Sequence, residues 1–230
     1  MSTELVRDLV TANHVLARLG VVDAYGHVSV RDPHDASRYF ISRSLAPELV
    51  EDTDVVVLDL DSAPDTGEER ALYAERFIHG ELYRARPDVQ AVVHHHAPTA
   101  VAFGVTDVPL RAVYHMAAFL GERVPVFEIR DAAAGAGDML VRTPDLARAL
   151  ARTVGAAPAA LMRGHGAVVT GTSLAQAVGR SVYMELNARI QVETAQIGGA
   201  ARVLDAGEIA EMTRTLGDYE RAWELWKKMS

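Results

Sequence analysis

Apolar positions recur at helical spacing near the start of the chain. Between residues 3 and 19 they lie three or four positions apart, and Gly20 then marks the end of the predicted helix. Similar patterns predict helices over 70–85, from about Pro98, from Thr143 to about Val154, over about 173–197 and over about 206–228. Pro144 suits the first turn of its helix because that position needs no backbone N–H.

Short apolar and β-branched runs predict the strands. They cover 28–31, 39–42, 55–60, 90–94, 124–129, 160–163 and 167–169. Many of the turns between them are too short for a crossover helix, which favours antiparallel pairing. We therefore expect an α/β fold in one domain over residues 1–230, with a central mixed, mostly antiparallel sheet and helices on both faces.

The composition restricts which metal ligands and which binding partners we expect. The 230 residues carry a formal net charge of -8 and include no cysteine. An acidic chain is a poor match for nucleic acid, and any metal must be held by histidine and carboxylate. No signal peptide and no apolar stretch of membrane-spanning length is visible. We expect a cytoplasmic protein with a small-molecule substrate, no nucleic-acid partner and no membrane partner.

The strongest local signal is the sequence Ala91-Val92-Val93-His94-His95-His96-Ala97-Pro98. Residues i and i+2 of a strand point to the same side, so His94 and His96 can bind one ion while His95 points away. A second signal is His165 between two glycines, which suits a tight bend that faces a cleft. Together the three histidines predict a metal site with open positions for substrate.

Glu75 lies four residues before His79 on a predicted helix, just ahead of the histidine-rich strand. A carboxylate beside a metal can be a fourth ligand or a general acid/base. Both roles for Glu75 stay open at this point.

Four motifs in this order resemble the class II aldolase/adducin family, from about residue 5 to residue 200. They are Gly26-His27-Val28-Ser29-Val30-Arg31, Glu75 with His79, Val93-His94-His95-His96 and Arg163-Gly164-His165-Gly166. The resemblance implies an α/β fold and a homotetramer with its active site at a subunit interface. It also implies one divalent ion per subunit on His94, His96 and His165, with Glu75 beside it; Zn²⁺ is favoured, and Mn²⁺, Co²⁺, Mg²⁺ or Fe²⁺ could serve.

The chain departs from the sugar-phosphate members of that family in two places. His27 stands where they usually have Asn, and the loop at 41–47 contains Arg43 and no glycine. A glycine-free loop brings its backbone less close to a phosphate, whereas an arginine fork matches a planar carboxylate. With Tyr114-His115-Met116 downstream, the chain is similar to a branch that includes decarboxylases of hydroxylated aromatic or pyridine dicarboxylates.

The expected reaction is therefore decarboxylation of an ortho-hydroxy aromatic or pyridine (di)carboxylate through a metal-stabilised enolate. Substrate contacts are expected from Arg43, Ser42, Ser44 and His27, with protonation by Glu75, His115 or Tyr114, and with Tyr219 reaching a neighbouring subunit's site. The alternative is an aldolase or epimerase acting on a non-phosphorylated hydroxy-oxo acid. Lower alternatives are an iron-dependent oxygenase and a non-catalytic adducin-like binding module.

Overall fold

A seven-stranded sheet is the centre of the fold in a computed structural model of the chain, which describes residues 3–65, 67–133, 137–198 and 201–229. The strand order is β3-β2-β1-β4-β7-β6-β5. Every neighbouring pair is antiparallel except β5 with β6, which confirms the predicted mixed, mostly antiparallel sheet. The strands are β1 (His27–Arg31), β2 (Arg38–Ser42), β3 (Val55–Asp59), β4 (Ala91–His95), β5 (Val126–Phe127), β6 (Ala159–Met162) and β7 (Gly166–Gly171).

Helices cover both faces of the sheet, as the sequence predicts. Along β4, Val92 packs into a core with α2 and α5, while Val93 packs into a second core with α1 and α6. This alternation follows from the two-residue repeat of a strand. The helices are α1 (Thr3–Arg18), α2 (Phe77–Ala85), α3 (Pro98–Gly104), α4 (Ile129–Ala132), α5 (Pro144–Val154), α6 (Leu174–Ile197), α7 (Ala206–Leu216) and α8 (Glu220–Lys227).

Strand register brings the histidines together in the middle of the sheet. His27 on β1 lies opposite His94 on β4, and His94 lies opposite Val168 on β7. The turn between β6 and β7 presents His165, and Gly164 in that turn has a φ of 64°, which favours glycine. Gly166 is required for a different reason: a Cβ there would lie 2.1 Å from the carbonyl oxygen of His95.

Three predicted elements are different in the structure. The helix predicted over 70–85 begins only at Phe77, so Glu75 lies in the turn before α2 and not on the helix. Residues 124–129 form a strand of two residues, Val126–Phe127, and α4 begins directly after Glu128, whose side chain accepts from the backbone N–H of Arg130. The helix predicted over 206–228 is two helices, since Gly217 and Tyr219 adopt φ angles of 58° and 59°.

Across the described ranges, none of the helices combines the length and the apolarity that a membrane span requires.

Candidate metal centre

Four side chains from three parts of the chain converge at one point. His94 is the next-to-last residue of β4 and His96 follows the strand, His165 comes from the β6–β7 turn, and Glu75 comes from the turn before α2. The Nε2 atom of His96 lies 3.0 Å from Nε2 of His94 and 3.2 Å from Nε2 of His165. One ligand atom from each of the four residues lies within 4.8 Å of the other three. The structure thus brings together the four residues that the sequence suggested as ligands.

Hydrogen bonds fix the orientation of the imidazole rings. His94 Nδ1 lies 3.1 Å from the carbonyl oxygen of Ala167, and His165 Nδ1 lies 2.9 Å from that of Met139. A carbonyl only accepts, so each Nδ1 carries the proton and each Nε2 keeps its lone pair for the centre. Nδ1 of His96 lies 3.6 Å from a carboxylate oxygen of Asp23, which is an electrostatic contact and not a hydrogen bond. Such outer partners are typical of metal-ligating histidines.

The arrangement fits a divalent cation. Lone pairs facing one another at 3.0 and 3.2 Å repel unless a positive charge lies among them. Ligands about 2.0–2.1 Å from a tetrahedral zinc ion are separated by roughly 3.3 Å, close to these distances. Three imidazoles and one carboxylate are also a donor set that suits zinc and other first-row divalent metals.

Glu75 is held as an anion that faces the histidines. Its Oε1 accepts a hydrogen bond of 2.8 Å from the backbone N–H of Val141, while Oε2 lies 3.3 Å from His165 Nε2 and 3.6 Å from His94 Nε2. Burial alone would raise the pKa of Glu75, but His165 and His94 hold that pKa well below its usual range. Glu75 in turn raises the pKa of His165 against the opposing effect of burial. Burial and the neighbouring His94 and His165 lower the pKa of His96 to about 4.

His27 forms a wall of the site. Its ring centroid lies 5.0 Å from that of His94 and 4.6 Å from that of Tyr73. Burial and the neighbouring His79 lower its pKa well below the usual value. The sequence analysis did not identify Tyr73 as part of the site. The feature that could have identified it is its position two residues before Glu75. The Tyr73 hydroxyl donates to the carbonyl oxygen of Leu45 at 2.5 Å and fixes the irregular segment before α2.

The loop with Ser42, Arg43 and Ser44 lies on the far side of Tyr73. Ser42 is fully buried and its hydroxyl donates to the Tyr73 hydroxyl at 3.0 Å. Arg43 Nε donates to Asp54 at 2.7 Å, and Arg43 together with the backbone amide of Glu51 keeps the pKa of Asp54 low against the effect of burial. Ser42 is therefore linked to the histidine cluster through Tyr73, whose ring contacts His27.

Tyr114, His115 and Tyr219 belong to a separate aromatic group. The ring of Tyr114 contacts His115 at 4.8 Å and Tyr183 of α6 at 6.2 Å, and Tyr183 stacks on Tyr219 at 5.2 Å. Tyr183 and Tyr219 pack with the α1/α6 core, whereas His94 shares the face of Val92, which packs on α2 and α5. Within one chain, the structure does not bring this group to the four-residue centre.

A buried carboxylate that the sequence did not reveal supports the start of α3. Glu185, 3% exposed on α6, accepts hydrogen bonds from the backbone N–H groups of Thr99 and Ala100 at 3.4 and 3.1 Å. A negative charge at a helix N-terminus is favourable. Glu185 thus fixes the point where the chain turns into α3 directly after His96.

The fold and the site together define an α/β enzyme with a three-histidine, one-carboxylate centre beside the end of the middle strand of a mixed sheet. Residues 7–192 match the model of the class II aldolase and adducin N-terminal domain, and the chain belongs to that family.

Proteins of similar sequence indicate to which branch of the family the chain belongs. Decarboxylase tropJ of Talaromyces stipitatus is 39% identical over 96% of this chain and 92% of its own length. The 3,4-dihydroxyphthalate decarboxylase of Arthrobacter keyseri is 30% identical over 92% and 88%. An L-fuculose 1-phosphate aldolase structure has a TM-score of 0.79 at 24% identity, covering 94% of this chain and 97% of its own. The two decarboxylases are lyases, and this chain is a lyase of the decarboxylase-like branch.

Proposed function

We propose that the chain is a divalent-metal-dependent decarboxylase of ortho-hydroxy aromatic or pyridine (di)carboxylates. Glu75, His94, His96 and His165 would hold the ion, with zinc favoured by the donor set. An ion held there would stabilise the negative charge that develops on the substrate oxygens as the C–C bond breaks. The electrons of that bond stay on the ring carbon, CO₂ leaves, and a proton is added to the ring carbon.

The observation that carries the proposal is the hydrogen bonding of the loop at 42–45. The backbone N–H of Arg43 donates to Asp54 at 2.8 Å, and that of Ser44 donates to Ala71 at 2.7 Å. Both amides are therefore occupied and cannot cradle a phosphate. The terminal nitrogens of Arg43 have no hydrogen-bond partner among the described residues, so they are free to bind a carboxylate.

The named activities of the relatives support the same reaction. Two of them, at 39% and 30% identity over most of this chain, are decarboxylases, and one is named for a dihydroxyphthalate, which carries adjacent hydroxyl and carboxylate groups. Those groups would be recognised here by the centre and by Arg43.

We propose that the proton comes from Glu75 or from a residue of a neighbouring subunit. Glu75 is anionic at neutral pH because His165 and His94 lower its pKa, so it must first take up a proton before it can give one. Tyr114 and His115 lie on the other face of their own sheet. They and Tyr219 would therefore act on the site of another chain, which requires a homo-oligomer and agrees with a homotetramer.

The direct test is CO₂ release from a panel of substrates by the zinc- or manganese-loaded protein. The panel would hold 2-hydroxybenzoate, dihydroxyphthalates and hydroxypyridine dicarboxylates. His165→Ala should lose bound metal and activity together, while the matched control His34→Ala, in an exposed turn, should keep both. Metal-loaded protein that released no CO₂ from any member of the panel would contradict the proposal.

An aldolase of a non-phosphorylated hydroxy-oxo acid is the second candidate. The fold shared with an L-fuculose 1-phosphate aldolase favours it, and it would use the same four residues. Release of pyruvate or an aldehyde without CO₂ would identify this reaction.

A further inference from the structure

Four buried side chains, the last of which is His27, form a continuous row of hydrogen bonds. The Tyr83 hydroxyl lies 2.7 Å from Ser29 Oγ, Ser29 Oγ lies 2.6 Å from His79 Nδ1, and His79 Nε2 lies 2.7 Å from His27 Nδ1. None of the four residues is more than 2% exposed. The row runs from the core between β1 and α2 to the wall of the site.

The direction of each proton follows from the available acceptors. The Tyr83 hydroxyl also has a hydrogen bond with the backbone of Val92, which acts to lower the pKa of Tyr83 against the larger effect of burial, as a donated N–H does. The Tyr83 oxygen therefore accepts from Val92, and its proton goes to Ser29 Oγ. Ser29 must then donate to His79 Nδ1, because its own proton would otherwise be buried without an acceptor. Burial keeps His79 neutral, with a pKa lowered to about 3. His79 therefore carries its proton on Nε2 and donates it to His27 Nδ1.

His27 is the end of this row. With Nδ1 accepting from His79, its ring proton lies on Nε2, on the side of the ring away from α2. Nε2 has no hydrogen-bond partner among the described residues, and the ring stands between Tyr73 and the ligand His94. Neutral His27 thus presents an N–H donor at the wall of the centre.

We propose that Tyr83, Ser29 and His79 are positioning residues that fix His27 as an Nε2–H donor to an anionic oxygen of the substrate. The substrate oxygen would be one of the carboxylate or phenolate oxygens, and this inference rests on the proposed function for that assignment. A donor fixed in one tautomer binds an anion without first reorganising. A free imidazole would instead divide its population between two tautomers, one of which presents a lone pair to the anion.

Two measurements test the row in the zinc-loaded protein. Nitrogen-15 NMR of labelled histidine reports the tautomer of His27, and calorimetric titration with 2-hydroxybenzoate reports anion affinity. Wild-type protein should show His27 protonated on Nε2. Ser29→Ala should release His79 and give a mixed His27 tautomer, with about tenfold weaker binding of 2-hydroxybenzoate. Tyr83→Phe should produce a smaller change in the same direction.

Ser181→Ala is the matched control, because Ser181 is an equally buried serine whose hydroxyl donates to its own helix at 2.8 Å on the opposite face. It should leave both readouts within about twofold of wild type. In a His27→Gln background the amide donates without the row, so Ser29→Ala should add no further loss.

A His27 proton on Nδ1 in the wild type would overturn the proposal. So would equal tautomers and affinities in Ser29→Ala and Ser181→Ala. If 2-hydroxybenzoate binding and the tautomer respond as described while no substrate releases CO₂, the proposed function fails and the positioning role of the row stands.

Discussion

Replacing Gly166 by alanine tests how tightly the sheet sets the metal centre. A Cβ at Gly166 would lie 2.1 Å from the carbonyl oxygen of His95 and 3.1 Å from Cδ2 of His96. Ordinary contacts begin at 3.4 Å, so β4 and the β6–β7 turn must separate by about 1.3 Å. His96 follows β4 and His165 lies in that turn, so the separation moves two candidate ligands apart.

The expected loss is large because metal sites tolerate little displacement. Ligand distances are held to within about 0.2 Å in working sites, so we expect metal affinity to fall at least about 10- to 100-fold. Overpacking should also lower the free energy of unfolding by about 1–3 kcal/mol. Competition with a chelator measures the first quantity, and urea unfolding of the metal-free protein measures the second.

Gly137→Ala is the matched control, since the nearest atom to its added Cβ lies 4.0 Å away. It should bind metal as the wild type does. If Gly166→Ala kept wild-type metal affinity and wild-type unfolding, the reasoning from the close approach of β4 and β7 would be refuted.

Three further outcomes follow from the structure. Burial lowers the pKa of His79 from 6.5 to about 3, so as the pH falls below about 6.5 the unfolded chain binds a proton that the folded chain does not. Urea unfolding of the metal-free protein should therefore give a smaller free energy of unfolding at about pH 5 than at about pH 7. Equal values would contradict the neutral burial of His79. Thr143→Ala removes the side chain that accepts from the backbone N–H of Leu146 at the start of α5 and should cost about 1 kcal/mol in the same assay, with metal content unchanged. Glu185→Gln keeps the shape but removes the charge at the start of α3; we expect a measurably weaker metal affinity beside a modest loss of stability, and unchanged affinity would show that α3 does not hold His96 in place.

The candidate ligands could be predicted from the sequence because their signals are local. His94 and His96 obey the two-residue repeat of a strand, and His165 between glycines marks a tight turn. The position of Glu75 was predicted less well. Helical spacing placed it on a helix, but a hydrogen bond from Val141, 66 residues away, holds it in the turn before α2. Tertiary contacts of this kind leave no periodic trace in the chain.

The same limit applies to the residues around the ligands. Tyr73 contacts Leu45, and His79 contacts Ser29 and His27, across separations of 28 to 52 residues. Likewise, the break before α8 depends on Tyr219 donating to the carbonyl oxygen of Met116 at 2.8 Å. Apolar periodicity predicted the sheet, the layers and most helix ends. The polar pairs that shape the substrate side became visible only when the strands were in register.

The alternation along β4 makes the length of this strand a fixed quantity. Successive residues of a strand point to opposite faces of the sheet, so His94 faces the centre while His95 faces α6. Hydrogen-bonded ladders to β1 and β7 hold β4 from both edges, so it cannot slide to absorb a change. Insertion or deletion of one residue between Ala91 and His94 would exchange the two faces, so the side chain of the candidate ligand His94 would point into the core beside α1 and α6. We therefore expect the connecting loops to tolerate changes in length that β4 does not, so the surfaces beside the candidate centre can change shape while the spacing of His94 and His96 stays the same.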